Sequence, residues 1–234
     1  MNPQASLHTT NVMTDTRFLS FTKYVRRHEL ARFIVQYELF KRISNVKGSI
    51  VECGVHHGSG VMAWAKLSEI LEPYNYLRKI YGFDTFTGFP SVTDVDAKSN
   101  QDVARVGYLN PDYDVISELG ECISDFNQTR LLNYQDKIAL VQGDAIETIP
   151  RFLSQNPHAL ISLLYLDFDL YEPTLLALRE FLPRMPLGAV IAFDELNDPK
   201  WPGETAALLD ALDINRYRLE SLPFEPHISW ITLE

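Results

Sequence analysis

The chain has 234 residues, 46% hydrophobic and 22% charged, enough material for one large or two small domains, and this composition excludes disorder, collagen-like repetition and coiled coil. With 21 Lys and Arg against 31 Asp and Glu, the net charge of −10 opposes a phosphate backbone and argues against bulk nucleic-acid binding. Cys53 and Cys122, its two cysteines, are too few and too far apart for a disulfide framework or a thiolate metal site, so the expected compartment is a reducing cytoplasm.

Residues 1–16 are polar, show no periodicity, and lack the basic and apolar blocks of a secretory signal. No apolar run approaches the ~18 residues needed to span a bilayer, so no membrane partner is expected. From Thr22 to Asn45, Val25, Leu30, Phe33, Ile34, Tyr37, Phe40 and Ile43 recur at three and four residues with charges between them, which predicts an amphipathic helix ending before Gly48. Beyond it the pattern alternates between short β-rich runs and helical stretches, as βαβ units require. Strands are predicted over 49–55, 79–84, 137–144, 161–167 and 188–195, and helices over 61–71 and 173–181. Near-continuous apolar runs such as SIVECGV, ISLLYLD and GAVIAFDE suit a parallel sheet covered on both faces. Residues 217–222 and 227–233 are two more strands, and the turn 223–226 between them is too short for a crossover, so they pair antiparallel. The predicted fold is an α/β, Rossmann-like, mostly parallel sheet with an antiparallel C-terminal hairpin and helices on both faces. Residues 1–47 are read as an N-terminal arm and helix, an acceptor lid or a dimer contact, and residues 48–234 as the main domain. An insertion at about 86–135, with one predicted helix at 113–126, has the length of a functional lid.

Open parallel sheets bind ligands at the carboxyl ends of their strands. Those ends are acidic here: Glu52 within the first strand, then Asp84, Asp144, Asp167, Asp194 and Glu195. Any one of them can simply cap the following helix, or pair with Lys200 in the case of the last two, but the series suggests a site. After the first strand comes Gly54-Val-His-His-Gly58-Ser-Gly60, whose glycines let backbone N–H groups approach a ligand. The spacing departs from the dinucleotide fingerprint G-x-G-x-x-G, which removes the main support for a nicotinamide cofactor. Asp84 can accept from both ribose hydroxyls and Asp144 from an adenine amino group. The glycine turn has no Lys or Arg for phosphates, so the pattern suits S-adenosylmethionine. Asp167, Asp194 and Glu195 converge on one edge, and like charges so close raise one another's pKa unless a cation lies among them. Oxygen ligands favour Mg²⁺, with Mn²⁺ or Ca²⁺ as alternatives, over zinc.

At these residues the chain resembles the class I S-adenosylmethionine-dependent methyltransferases, and within them the macrocin/mycinamicin-type sugar O-methyltransferases. The resemblance rests on VECGVHHGSG (51–60), GFDTFTGFP (82–90), GDAIETIP (143–150), LLYLDFDLYEPTLLAL (163–178) and AVIAFDELNDPKWPG (189–203). It implies an S-adenosylmethionine- and Mg²⁺-dependent O-methyltransferase acting on a sugar hydroxyl, a deoxysugar of a natural product or a nucleotide-sugar. The implied metal ligands are Asp167, Asp194 and Glu195. The expected cofactor-binding set is Glu52, Gly54, Gly58, Ser59, Asp84, Thr85, Phe86, Asp144 and Asp167. Two departures stand out: the acidic pair is Asp-Glu where the family has Asp-Asp, and the turn reads HHGSG where the family has WRGG. Asp167 is the expected catalytic base, with His56 or His57 in reserve. Phe86, Phe89, Tyr108 and Tyr113 are expected either to stack on the acceptor or to pack the lid. A homodimer or higher homo-oligomer is expected. Competing readings are a catechol O-methyltransferase, a metal-dependent glycosyltransferase using the D-x-D of Asp167 and Asp169, and a cofactor-binding fold without turnover.

Overall fold

The computed structural model describes residues 19–98 and 103–234, so the expected arm over residues 1–16 lies outside the described residues. Seven strands form one sheet: β1 (Ser49–Cys53), β2 (Ile80–Asp84), β3 (Ile138–Gln142), β4 (Ile161–Leu166), β5 (Val190–Phe193), β6 (Glu220–Leu222) and β7 (Glu225–Thr232). Their order is β3-β2-β1-β4-β5-β7-β6; β1 to β5 are parallel, and β7 runs antiparallel to both its neighbours. This is the predicted sheet, with one refinement. β7 begins at Glu225, and Leu222 already faces Glu225, so the link is shorter than the predicted four-residue turn.

The helices are α1 (Arg27–Ile43), α2 (Ser59–Leu71), α3 (Asp94–Ala97), α4 (Val115–Thr129), α5 (Ala145–Gln155), α6 (Tyr171–Phe181) and α7 (Pro202–Ala211). Alternate side chains of each strand feed two cores. Ile50, Leu163, Tyr165 and Val190 pack under α1, α2 and α4, whereas Val51, Leu164, Leu166 and Ile191 pack under α5, α6 and α7. Both faces are therefore covered, which is why all residues of β1, β4 and β5 are buried. α1 belongs to this core: Val35, Leu39, Phe40 and Ile43 are fully buried in it, and each such side chain contributes roughly 1.5–3 kcal/mol.

Two helices go beyond the sequence reading. α5 carries Pro150 in its interior, where the missing N–H and the ring argue against a helix, yet its buried stripe of Ile149, Phe152 and Leu153 holds it on the sheet. α7 starts with Pro202 at its first position, a placement that costs no hydrogen bond, and packs along α6. None of the helices among the described residues is long and apolar enough to cross a membrane.

Candidate functional site

β1 ends at Cys53 and the chain turns through Gly54 with φ +95°. A Cβ on Gly54 would lie 1.9 Å from the carbonyl oxygen of Asp167, so both the dihedral and the space require glycine. The turn is held from the neighbouring strand. Asp84, which closes β2, accepts the amide N–H groups of Val55 and His56 on Oδ2, both at 2.8 Å, and that of Phe86 on Oδ1 at 2.6 Å. Hydrogen bonds to a charged acceptor contribute roughly 1.5–3 kcal/mol each, so this one carboxylate fixes two loops. Four non-glycine residues with positive φ, His56 (50°), Phe86 (57°), Leu109 (61°) and Asp169 (62°), line a single cleft at the carboxyl ends of β1 to β4. Each such conformation costs on the order of 1–3 kcal/mol, and strain of that kind concentrates at binding sites. The cleft holds about 770 Å³ counting its open mouth, within the range of small-ligand sites.

Of the expected cofactor residues, Gly54, Asp84, Thr85, Phe86, Asp144 and Asp167 line this cleft, and Glu52, Gly58 and Ser59 do not. Glu52 faces the α2 side, 3% exposed, beneath Gly60, where an added Cβ would meet its Oε1 at 2.1 Å. Burial pushes the Glu52 carboxyl up to about 8, against the opposing pull of Trp64 and Arg32, and Oε2 has no partner. Glu52 thus supports the first turn of α2 from below. Gly58 is the residue before α2, with φ +84°, and Ser59 opens that helix. Asp144 both lines the cleft and caps α5, accepting from the Ile146 N–H at 2.9 Å. His56 lines the cleft, and burial together with the adjacent His57 lowers its imidazole pKa. The His57 ring instead reaches outward, with Nδ1 2.8 Å from the Tyr113 hydroxyl. Phe86 and Phe89 line the cleft, and Phe89 packs in a cluster with Tyr108 and Trp201 at centroid distances of 5.8–6.0 Å. Tyr108 therefore packs against Phe89 and Trp201.

The acidic edge lies beside the cleft. Asp194, 3% exposed, takes the guanidinium of Arg32 on both oxygens, at 2.6 Å from Nη2 and 3.0 Å from Nη1, and the Tyr165 hydroxyl at 2.6 Å. Nη2 of Arg32 also lies 3.5 Å from Asp167 Oδ2. Burial opposes the charge on Arg32, but Tyr165, Asp194 and Asp167 outweigh it and hold its pKa above the ordinary value. Enclosure and the neighbouring carboxylates Asp194 and Asp169 raise Asp167, and enclosure with Glu195 and Asp194 raises Asp169. Glu195 is pushed up to about 7 by burial, Asp194 and Asp198. Glu204 of α7 is fully buried in the same edge, and its Oε2 accepts from the Glu195 N–H at 3.1 Å.

The sequence profile of the macrocin-O-methyltransferase (TylF) family matches residues 26–206, more than three quarters of the chain. The chain belongs to the TylF macrocin-O-methyltransferase family. Among its relatives, the mycinamicin III 3''-O-methyltransferase of Micromonospora griseorubida is 28% identical over 151 residues, covering 64% of this chain and 56% of that protein. The solved structure of CalS11, a calicheamicin methyltransferase, superposes with a TM-score of 0.89 at 35% identity, over 96% of this chain and 87% of that one. An apo structure of CalS11, described as a TDP-rhamnose 3'-O-methyltransferase, gives 0.81 at 31% identity, over 95% and 87%. The O-methyltransferase NovP, at 20% identity and a TM-score of 0.62 over 86% of this chain and 79% of that one, shares the fold.

In this TylF-family chain the geometry gives the Mg²⁺ expectation no support. No group of three or more His, Cys, Asp or Glu side chains among the described residues is placed to hold an ion. Asp167, Asp194 and Glu195 do reach one edge, but both oxygens of Asp194 are already taken by Arg32 and Tyr165, so the residues as arranged do not fit Mg²⁺. Four members of the edge escape sequence reasoning as a group. Arg32 looks like one more charge on the polar face of α1, Tyr165 like a strand core residue, and Glu204 sits in an unassigned helix. Asp169 is visible only as the second acid of a D-x-D.

Proposed function

We propose that this chain is an S-adenosylmethionine-dependent O-methyltransferase that methylates a hydroxyl of a sugar, on a natural product or a nucleotide, in the cytoplasm. The observation that carries the reading is the cleft built from the turns after β1 to β4, with the Asp84 carboxylate tying two of those turns together. The family match and the sugar methyltransferases among the relatives support the acceptor class. They favour methyl transfer over the glycosyltransferase reading of Asp167 and Asp169.

In this reading Asp84 Oδ1, which takes a single N–H from the protein, retains capacity for a ribose hydroxyl. Asp144, which lines the same cleft, takes the adenine amino group in this reading. Bound S-adenosylmethionine supplies a methyl group on a sulfonium, which leaves as a neutral thioether. Asp167, whose side chain is 30% exposed, accepts the acceptor's hydroxyl proton as the O–CH₃ bond forms and the S–CH₃ bond breaks. Raising a carboxyl's pKa makes it a better base near neutrality. Phe86 and Phe89 exclude water from the reacting groups. Holding acceptor and donor in contact can supply several of the roughly 7–11 kcal/mol available from proximity. No step of this scheme runs through a metal ion. Self-association through α1, which exposes Phe33, Ile34 and Tyr37, is part of the same proposal, and light scattering tests it.

Calorimetric titration with S-adenosylhomocysteine, followed by assays with TDP-deoxysugar and catechol acceptors side by side, tests the reading. Micromolar binding and a methylated sugar are expected. Absence of binding overturns the methyltransferase proposal, and methylation of the catechol alone overturns the sugar.

A further inference from the structure

The carboxyl edge of the sheet is acidic, and its amino edge is basic. Lys79 stands immediately before β2 and Lys137 immediately before β3, while Lys47 lies just ahead of β1 and His158 just ahead of β4. Backbone bonds hold these starts side by side: the Lys79 carbonyl accepts the Ile50 N–H and the Lys137 carbonyl the Ile80 N–H, both at 2.9 Å. Adjacent strands lie ~5 Å apart, so side chains on neighbouring starts can share one ligand. A second cleft, about 1170 Å³ counting its open mouth, lies along this edge, at the opposite end of the strands from the first. Lys47, Arg78, Lys79 and His158 line it with Tyr76 and Tyr81, and no Asp or Glu among the described residues does, in a chain of net charge −10. Arg78, 3% exposed, gives its donors to the protein: Nε to Glu72 at 2.7 Å, and its two Nη atoms to the carbonyls of Gly48, Ile43 and Val46 at 2.9–3.0 Å. It lends the cleft charge, and the exposed Lys47 and half-buried Lys79 are left to meet a ligand. The cations crowd one another. Burial lowers the Lys79 pKa, with Asp136 opposing and Arg130 adding to the fall. Lys137 is pushed down to about 8 by burial, against the pull of Glu72, with Arg130, Arg78 and Lys79 adding to the fall. The neighbouring carboxylates Glu69, Glu72 and Asp136 are fewer than these cations, and a bound anion relieves the repulsion.

We propose that this amino-edge cleft is a second ligand site that binds a nucleotide, its phosphates on Lys47 and Lys79 and its base against Tyr76. Ammonium groups and phosphate oxygens form short, charge-assisted hydrogen bonds, and an imidazole N–H of His158 is a further donor on the same wall. Tyr76 is 47% exposed at the rim, and an exposed aromatic ring beside cations is a stacking platform for a base. The acidic cleft at the carboxyl ends offers a diphosphate no such set. Binding at the amino edge is separate from methyl transfer and does not rest on it.

The test follows backbone amide chemical shifts of the isotope-labelled full chain during titration with uridine diphosphate, with inorganic pyrophosphate as the phosphate-only arm. Saturable shifts at Lys47, Tyr76 and Lys79 are expected with the nucleotide. Shifts confined to the turns after β1 to β4 place the nucleotide in the other cleft and overturn the proposal, as does the absence of any shift. Replacing both lysines, Lys47→Gln with Lys79→Gln, is expected to weaken both probes at least ~10-fold, the loss that follows from removing charge-assisted bonds, and unchanged affinity overturns the proposal. Tyr76→Ala is expected to weaken uridine diphosphate and spare pyrophosphate; an unchanged nucleotide affinity, or an equal loss for both probes, overturns the place given to the base. If the double variant fails to fold by circular dichroism, the exposed Lys47→Gln alone carries the comparison, with a several-fold loss expected and unchanged binding overturning the proposal. Because the readout uses neither methyl donor nor acceptor, its failure leaves the proposed methyl transfer standing.

Discussion

Gly54→Ala strikes the point where two strands meet. The substitution carries two costs that separate by comparison with Gly107→Ala. Both glycines have positive φ, +95° and +78°, and an L-residue there costs roughly 1–2 kcal/mol. At Gly107 an added Cβ meets nothing within 4 Å, so that variant reports the dihedral cost alone. At Gly54 the same Cβ would lie 1.9 Å from the Asp167 carbonyl oxygen and 2.7 Å from its carbon, and backbone pinned by the bond from Asp167 N–H to Cys53 O cannot yield. Overpacking of a closed site adds ~1–3 kcal/mol, for a total of ~2–5 kcal/mol against ~1–2 kcal/mol for the control. Urea unfolding followed by circular dichroism reads the difference. Gly54→Ala is also expected to lose S-adenosylhomocysteine binding by calorimetry, because relief of the overlap moves Asp167 and the cleft wall with it. Equal midpoints for the two variants would refute the reasoning, since the close approach of β1 to β4 would then cost nothing.

Asp84→Asn leaves one carbonyl oxygen where two carboxylate oxygens accept three N–H groups, so at least one charge-assisted bond is lost. At ~1.5–3 kcal/mol per bond, S-adenosylhomocysteine affinity is expected to fall about 10- to 100-fold with the fold intact, as calorimetry and circular dichroism would show. Glu52 gives a pH prediction. Its carboxyl stands at about 8 in the folded chain against an ordinary 4.5, so the folded state holds the extra proton and stability falls as pH rises between those values. Wild type should therefore lose up to ~1.4 kcal/mol per pH unit more than Glu52→Gln across that window, and parallel stability curves for the two would exclude the assignment. Trp201→Ala removes two aromatic contacts, to Phe89 and Tyr108, worth ~0.5–1.5 kcal/mol each. Tryptic cleavage at Arg105 should quicken while the sheet's urea midpoint moves little; an unchanged cleavage rate would mean that Trp201 does not hold the chain around Tyr108.

The sheet was legible because its strands are buried on both faces, so SIVEC and ISLLYL advertise themselves as near-continuous apolar runs. The cleft was legible because a parallel topology puts the carboxyl ends of β1 to β5 on one edge. The hidden parts depend on distance or on tertiary override. Arg32 and Asp194 are separated by 162 positions, and nothing local to Arg32 distinguishes it from Arg26 or Arg27. α5 survives Pro150 because packing against Phe83 and its neighbours outweighs propensity. Glu52 shows the opposite failure: an acid at a strand end reads as a ligand, and the alternation of faces sends it under α2, away from the cleft.

The place of β7 between β5 and β6 has a consequence for biosynthesis. Until Glu225–Thr232 has been made, β5 presents an unpaired edge and β6 has no neighbour to join. A ribosome adds ~5–20 residues per second, so the nascent sheet waits with that edge open for the seconds in which residues 194–232 emerge. Backbone groups of Val190 to Phe193 are then free to pair with another nascent chain. A chain released before β7 is complete is, on this account, a seed for aggregation as well as an unfinished enzyme.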